Sequence, residues 1–170
     1  MNHNRGYIYV SQSADTAQFA VEMIARWWKT FGQYDFPKAP GLLTLCDGGG
    51  SNGCNQYLFK QDLQRLVDEM GVEIRVAHYP AYCSKYNPIE HRLFPHVTRA
   101  CQGVVFTSID CVKKLIKRTK SKKGLRVVVN LLSTIYKTGR KVCESFKKHM
   151  PILFDSILPK WNYRAVPQNI

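Results

Sequence analysis

The most constraining feature of this sequence is the stretch from residue 42 to residue 53, Leu-Leu-Thr-Leu-Cys-Asp-Gly-Gly-Gly-Ser-Asn-Gly. A short apolar run that is bounded by turn residues indicates a strand that is buried on both faces of a sheet. Asp47 ends this run, and open α/β sheets bind their ligands beyond the carboxyl ends of the strands. The stretch therefore predicts a central strand with a candidate functional carboxylate at its end. The helix after the glycines is expected to be capped by Ser51 or Asn52.

The periodicity of the other segments predicts an α/β architecture. Residues 5–10 are aromatic and β-branched and residues 72–79 alternate in polarity, so both are expected to form strands. Helices are expected at residues 15–32, 54–70 and 107–119. The β-branched stretch 125–136 fits either one long strand or part of a hairpin. This order of strands and helices predicts a mainly parallel sheet.

Glu90 is a second acid at a comparable place. It opens a predicted helix in which Pro88 lies in the first turn and Asn87 is the cap. Neighbouring parallel strands would bring Asp47 and Glu90 to the same end of the sheet, where carboxylates suit a hard ion such as Mg²⁺. Two such ions can activate a nucleophile and stabilise a leaving oxygen in phosphodiester chemistry. Acids at helix starts also occur simply because the helix dipole favours them.

The positive charge is strong and unevenly distributed. The net charge is +13, and residues 113–148 contain 13 Lys and Arg residues against the single acid Glu144. A charge run is often only a solvated face, but a bias this one-sided favours the binding of phosphates. Lys120, Lys122 and Lys123 lie in this region and are candidate DNA contacts. Nucleic acid is therefore the expected polyanionic partner.

Other function classes receive no support from the composition. The sequence contains no run of about 18 apolar residues and does not open with the apolar stretch of a secretory signal. Its six cysteines are scattered without a Cys-x-x-Cys pair, so reduced structural thiols are expected rather than a zinc site or disulfides.

Longer motifs connect these candidates. Asp-Gly-Gly-Gly-Ser-Asn-Gly at 47–53, the segment 78–94 from His-Tyr-Pro-Ala-Tyr to Glu-His-Arg-Leu-Phe, and Trp-Asn-Tyr near the end occur together. Asp-Thr-Ala-x-Phe-Ala at 15–20 and Arg-Trp-Trp at 26–28 accompany them. Taken together, these segments resemble a bacterial insertion-sequence transposase of the ISAzo-type group of DDE transposases.

The resemblance implies a ribonuclease-H-like fold, with a mixed sheet flanked by helices and three acidic metal ligands. Two of these ligands correspond to Asp47 and Glu90. Mg²⁺, for which Mn²⁺ substitutes, would activate water and then a DNA 3′-hydroxyl for strand cleavage and joining. The implied partner is DNA at transposon ends, bound by a homo-oligomer. The implied location is the bacterial cytoplasm, at the nucleoid, with no membrane and no small-molecule substrate.

The departure from the family pattern concerns the first aspartate. In the family it lies on the first strand of the fold, ahead of the strand that residues 5–10 resemble, and Asp15 and Asp35 fall outside that motif. We therefore expect the carboxyl-terminal part of a transposase that lacks its first strands and is inactive alone. A partial catalytic core is expected at residues 1–105, and a basic extension of helix and strand at 106–170.

Three functions stay consistent with the sequence: a defective transposase, a basic DNA-binding module or remnant without catalysis, and a related nuclease. Lys85, in the loop before Glu90, is expected to contact a DNA phosphate. His91 and Arg92 either contact phosphates as well or pair with Glu90 and neighbouring carbonyl groups.

Overall fold

The computed structural model describes residues 3–168, which form two compact units. The smaller unit contains residues 3–14 and 85–135, and the larger unit contains residues 15–84 and 136–168. The expected division into residues 1–105 and 106–170 stays a prediction.

The secondary structure alternates between strands and helices for most of the chain. The strands are β1 Arg5–Ser11, β2 Gly41–Asp47, β3 Glu73–Tyr79, β4 Arg126–Leu132, β5 Ile152–Phe154 and β6 Asn162–Ala165. The α-helices are α1 Ala17–Trp27, α2 Gln33–Asp35, α3 Tyr57–Met70, α4 Ile89–Arg92, α5 Phe94–Cys101, α6 Ile109–Lys117 and α7 Glu144–Lys148. A π-helical turn, Trp28–Gly32, continues α1, and a short 3₁₀ turn, Ser84–Tyr86, precedes α4.

The larger unit is built on a four-stranded mixed sheet in the order β2-β3-β6-β5. β2 and β3 run parallel, whereas β6 is antiparallel to both β3 and β5. The helix α3 packs on β3 and β6, and α1 packs on α3. The expected α/β class with a mixed sheet flanked by helices is confirmed. The expectation of a mainly parallel sheet is wrong, because the short carboxyl-terminal strands join as an antiparallel pair.

The core of the larger unit lies between α3 and the sheet. Phe59, Leu63 and Val67 recur every four residues on α3 and are fully buried. They pack against Ile74 and Val76 of β3, which point to the same face of the sheet. α3 ends where it is predicted to end: Gly71 takes the left-handed conformation (φ 65°) and its N–H donates to the Val67 carbonyl oxygen.

The strand β2 forms as predicted, but its burial is different. It pairs only with β3 among the described strands, so it is an edge strand and not a central one. Leu43 and Leu45 are 62% and 39% exposed, whereas Cys46 is 4% exposed. Alternate side chains of a strand point to opposite faces, and α1 and α3 cover only the face that carries Cys46. The prediction of a strand buried on both faces is therefore wrong.

The smaller unit contains the parallel pair β1 and β4. Among the described strands β4 pairs only with β1, so residues 125–136 do not form a hairpin with later residues. Gly6 lets Leu93 approach β1, since a Cβ at this position would lie 2.6 Å from Leu93 Cδ1. α6 packs on β4, and the Ser108 hydroxyl caps it by accepting the Cys111 N–H at 3.1 Å.

Arg140 belongs to the basic region of the sequence but has a structural role. Its two terminal nitrogens donate to the two Asp62 carboxylate oxygens at 2.8 and 2.9 Å. This hydrogen-bonded pairing with Asp62 raises the pKa of Arg140, against the opposing effect of burial. The pair joins α3 to the segment before α7 within the larger unit. Arg140 is accordingly not a free phosphate ligand.

Tyr82, in the loop after β3, has a strained backbone. Its φ of 64° is in the left-handed region, and its side chain is 99% exposed. The left-handed region costs a residue with a Cβ about 1 to 2 kcal/mol, and a glycine nothing. Because Gly also makes the unfolded chain more flexible, Tyr82→Gly is expected to raise the free energy of unfolding by roughly 0.5 to 1 kcal/mol. Urea unfolding measures this change.

The matched variant for Tyr82 is Tyr82→Ala. It removes the same exposed ring but keeps the Cβ, so it is expected to leave the free energy of unfolding unchanged within about 0.5 kcal/mol. Equal effects of the alanine and glycine variants would mean that backbone strain is not the cause.

Candidate functional site

Asp47 is the last residue of β2 and lies opposite Tyr79, the last residue of β3. Its side chain is exposed, and within residues 3–168 its carboxylate makes no hydrogen bond or salt bridge. Both carboxylate oxygens are thus available to a ligand. The sequence prediction of a carboxylate at the carboxyl end of a strand agrees with this position.

The glycines after Asp47 allow a tight loop at this end of the sheet. A Cβ on Gly48 would lie 3.2 Å from the Tyr79 carbonyl oxygen, and one on Gly53 would lie 3.1 Å from the Gly48 carbonyl oxygen. Gly50 has a φ of 75°, which a residue with a Cβ rarely adopts. Steric constraints therefore favour glycine at positions 48, 50 and 53.

Ser51 and Asn52 do not cap α3, so that prediction is wrong. The loop continues to Gln56, which precedes the helix without a side-chain capping hydrogen bond. The Ser51 hydroxyl instead donates to Asp15 Oδ1 at 2.6 Å. Asp15 thus ties the loop to the segment before α1.

Cys46 lies beside Asp47 but faces the core. Burial raises the pKa of the Cys46 thiol to about 11, although a hydrogen bond with the Asn52 side chain acts in the opposite direction. The thiol stays protonated at neutral pH, and metals bind the thiolate form. Cys46 is therefore a structural thiol, and all six cysteines are free.

Two buried basic side chains, His78 and Lys60, contact backbone carbonyl oxygens of the loop after Asp47. The ring nitrogens of His78 lie 2.8 Å from the Asn52 carbonyl oxygen and 3.2 Å from that of Trp161. His78 thus links the end of β3 to this loop and to Trp161. Lys60 is 4% exposed, donates to the Cys54 carbonyl oxygen, and lies 4.8 Å from the ring centroid of Tyr163.

Lys60 is the supporting residue that sequence reasoning missed. Burial lowers its pKa, so the environment disfavours the charged form. The signal was present in the sequence, because Lys60 stands three residues before Leu63 and thus on the apolar face of α3. A lysine on the buried face of a helix needs a polar partner, and here that partner is the loop after Asp47.

Glu90 lies in the smaller unit, whereas Asp47 lies in the larger one. Glu90 is half-buried in α4, and its N–H donates to the Asn87 carbonyl oxygen at 3.0 Å. Pro88 is the capping position of α4, and Asn87 Oδ1 accepts the Ile89 N–H at 3.4 Å. The helix predicted around Glu90 is present, with its cap one residue later than expected.

The three predicted DNA contacts near Glu90 are all exposed. His91 Nε2 contacts the Lys85 carbonyl oxygen, which corresponds to the carbonyl alternative left open by the sequence. The Lys85 ammonium lies 5.2 Å from the ring centroid of Tyr86.

Lys120, Lys122 and Lys123 lie in the connection between α6 and β4, and all three are exposed. In the described part of the chain, none of them forms a salt bridge with an acidic side chain. The Asn4 side chain donates to the Lys123 carbonyl oxygen at 2.7 Å and fixes the backbone of this connection. Three unpaired ammonium groups are thus presented together on one segment.

Within residues 3–168, no group of three or more His, Cys, Asp or Glu side chains is arranged to hold a metal ion. No helix there has both the length and the apolar character that crossing a membrane requires.

A family model described as the Rhodopirellula transposase DDE domain matches residues 1–167. No curated protein and no solved structure matches the chain.

Proposed function

The chain belongs to the Rhodopirellula transposase DDE domain family, and on this premise we propose that it binds a divalent metal ion and DNA at transposon ends. Asp47 carries the proposal. Within residues 3–168 its carboxylate has no hydrogen-bond or salt-bridge partner, and it ends a strand that leads into a loop held by Lys60 and His78. An exposed surface acid does not require such a support, whereas a metal ligand does. The mixed α/β architecture is compatible with a ribonuclease-H-like fold.

Asp47 and Glu90 are carboxylates, the type of ligand that Mg²⁺ prefers, but two carboxylates alone do not complete its coordination. Mg²⁺ prefers oxygen ligands, keeps several waters, and is usually bound by one or two carboxylates together with substrate phosphates. We propose each of Asp47 and Glu90 as a carboxylate ligand of a divalent ion, with DNA phosphate as a further ligand. The bound ion would supply the activation of an oxygen nucleophile. The residues of this chain hold the ion and the DNA.

A second function, DNA binding without catalysis, is favoured by the charge distribution. The exposed lysines of residues 120–123 contact phosphates in either function. In this second function the chain binds DNA through these lysines and leaves the strands uncut.

The DNA-binding part of the proposal is tested by changing Lys120, Lys122 and Lys123 to Gln together. Each phosphate contact changes the slope of log K against log salt by about 0.9, so the triple variant is expected to flatten this slope by about 3. The expected result is weaker binding to every DNA sequence, because phosphate contacts carry no sequence information. Fluorescence anisotropy with a short duplex at several salt concentrations measures both effects.

The matched control removes the same charge from the larger unit through Lys29, Lys38 and Lys160. These exposed lysines lie outside the basic segment, so their replacement by Gln is expected to change the slope by less than about 1. If both triple variants weaken binding equally, the segment 120–123 is no specific DNA contact and only net charge matters.

A further inference from the structure

Tyr86 is an exposed aromatic residue at the end of the short 3₁₀ turn before α4. Its side chain is 66% exposed, and the Lys85 ammonium lies 5.2 Å from its ring centroid. Burial in the core does not explain this tyrosine. Proteins that bind single-stranded nucleic acid combine such rings, on which bases stack, with cations that contact the phosphates.

The turn that carries Tyr86 is fixed on both sides. His91 of α4 contacts the Lys85 carbonyl oxygen immediately before Tyr86. Asn87, immediately after it, is 8% exposed, and its carbonyl oxygen accepts the Glu90 N–H. The backbone on each side of the ring is thus hydrogen-bonded to α4. A ring on a fixed backbone loses little conformational freedom when a ligand stacks on it.

We propose that Tyr86 stacks on an unpaired base of a DNA strand while Lys85 contacts the phosphate of that strand. This inference rests on the proposed function and adds a preference for DNA in which a base is already unpaired. The occupant follows from charge, because the ammonium beside the ring and the net charge of +13 both favour a polyanion. Stacking discriminates little between bases, so the preference concerns strand structure and not sequence.

The experiment compares two DNA duplexes of the same sequence, one blunt and one with a short single-stranded 3′ overhang. The 170-residue chain is expected to bind the overhang duplex more tightly. Tyr86→Ala is expected to weaken overhang binding roughly tenfold, since stacking on one aromatic residue contributes about 1 to 3 kcal/mol per base. Tyr86→Phe keeps the ring and is expected to bind as the unchanged chain does.

Affinity for the blunt duplex separates this inference from the proposed function. Tyr86→Ala is expected to bind the blunt duplex normally, which also shows that it is folded. Tyr34→Ala removes a 73% exposed tyrosine from the larger unit and is expected to change neither affinity. If Tyr86→Ala keeps the overhang preference, or if the unchanged chain has none, stacking is refuted while DNA binding stands. Failure of the unchanged chain to bind either duplex refutes both proposals.

Discussion

Leu63→Ala is expected to lower the free energy of unfolding by about 2 to 5 kcal/mol. Leu63 is fully buried in α3, between Phe59 and Val67 on the same helical face. Removing its side chain loses the transfer free energy of the buried atoms and leaves a cavity between α3 and the sheet. Urea unfolding followed by far-ultraviolet circular dichroism measures the change, with the urea midpoint as the direct readout.

Leu43→Ala is the matched control, because it removes the same atoms from an exposed position. Leu43 is 62% exposed on the face of β2 opposite α3, and its loss is expected to cost less than about 1 kcal/mol. Equal losses at the two positions would contradict the one-sided core of the larger unit. They would indicate that something also packs on the outer face of β2 in solution.

Leu43 also shows why the burial of β2 was not predictable from sequence. The run from Leu42 to Cys46 is apolar at almost every position, and this pattern is the same for a central strand and for an edge strand with one uncovered face. α3 and β3 were predictable, because their apolar residues repeat with clear helical and alternating periods. Whether a strand is central or at an edge depends on the strands with which it pairs in the tertiary structure, and no local sequence pattern encodes this pairing.

The short strands β5 and β6 were not predicted for a related reason. They contain three and four residues, too few to show an alternating pattern, and β6 pairs with the distant β3. Tyr163 of β6 is 1% exposed in the core, but a single aromatic residue does not identify the strand that carries it.

The position of Asp47 was predictable because it follows from where an apolar strand ends. The contacts that support the loop after Asp47 depend on tertiary packing and were less predictable. The capping prediction for Ser51 failed because the loop after Asp47 is longer than one turn and is held by Asp15. Lys60 was not predicted because the helical periodicity of α3 concerns its apolar residues, and a lysine does not contribute to that pattern.

Asp47→Asn is expected to have the largest effect on binding. The substitution keeps the size of the side chain but removes its charge, and hard divalent ions depend on carboxylate oxygens. Loss of a residue that merely supports a metal ligand typically weakens metal binding about 10- to 100-fold, so loss of a ligand is expected to do at least that. Because Asp47 is exposed and has no partner within residues 3–168, the free energy of unfolding is expected to change by less than about 0.5 kcal/mol.

The most direct test of the central claim is a Mn²⁺ titration of the chain bound to a short DNA duplex, followed by electron paramagnetic resonance. The unchanged chain is expected to bind Mn²⁺ beyond what the DNA alone binds, and Asp47→Asn is expected to lose this binding while its DNA affinity in the absence of divalent metal stays the same. Glu69→Gln, which removes an exposed carboxylate 68% accessible in the same unit, is expected to bind Mn²⁺ normally. Equal Mn²⁺ binding by Asp47→Asn and the unchanged chain would contradict the assignment of Asp47 as a metal ligand.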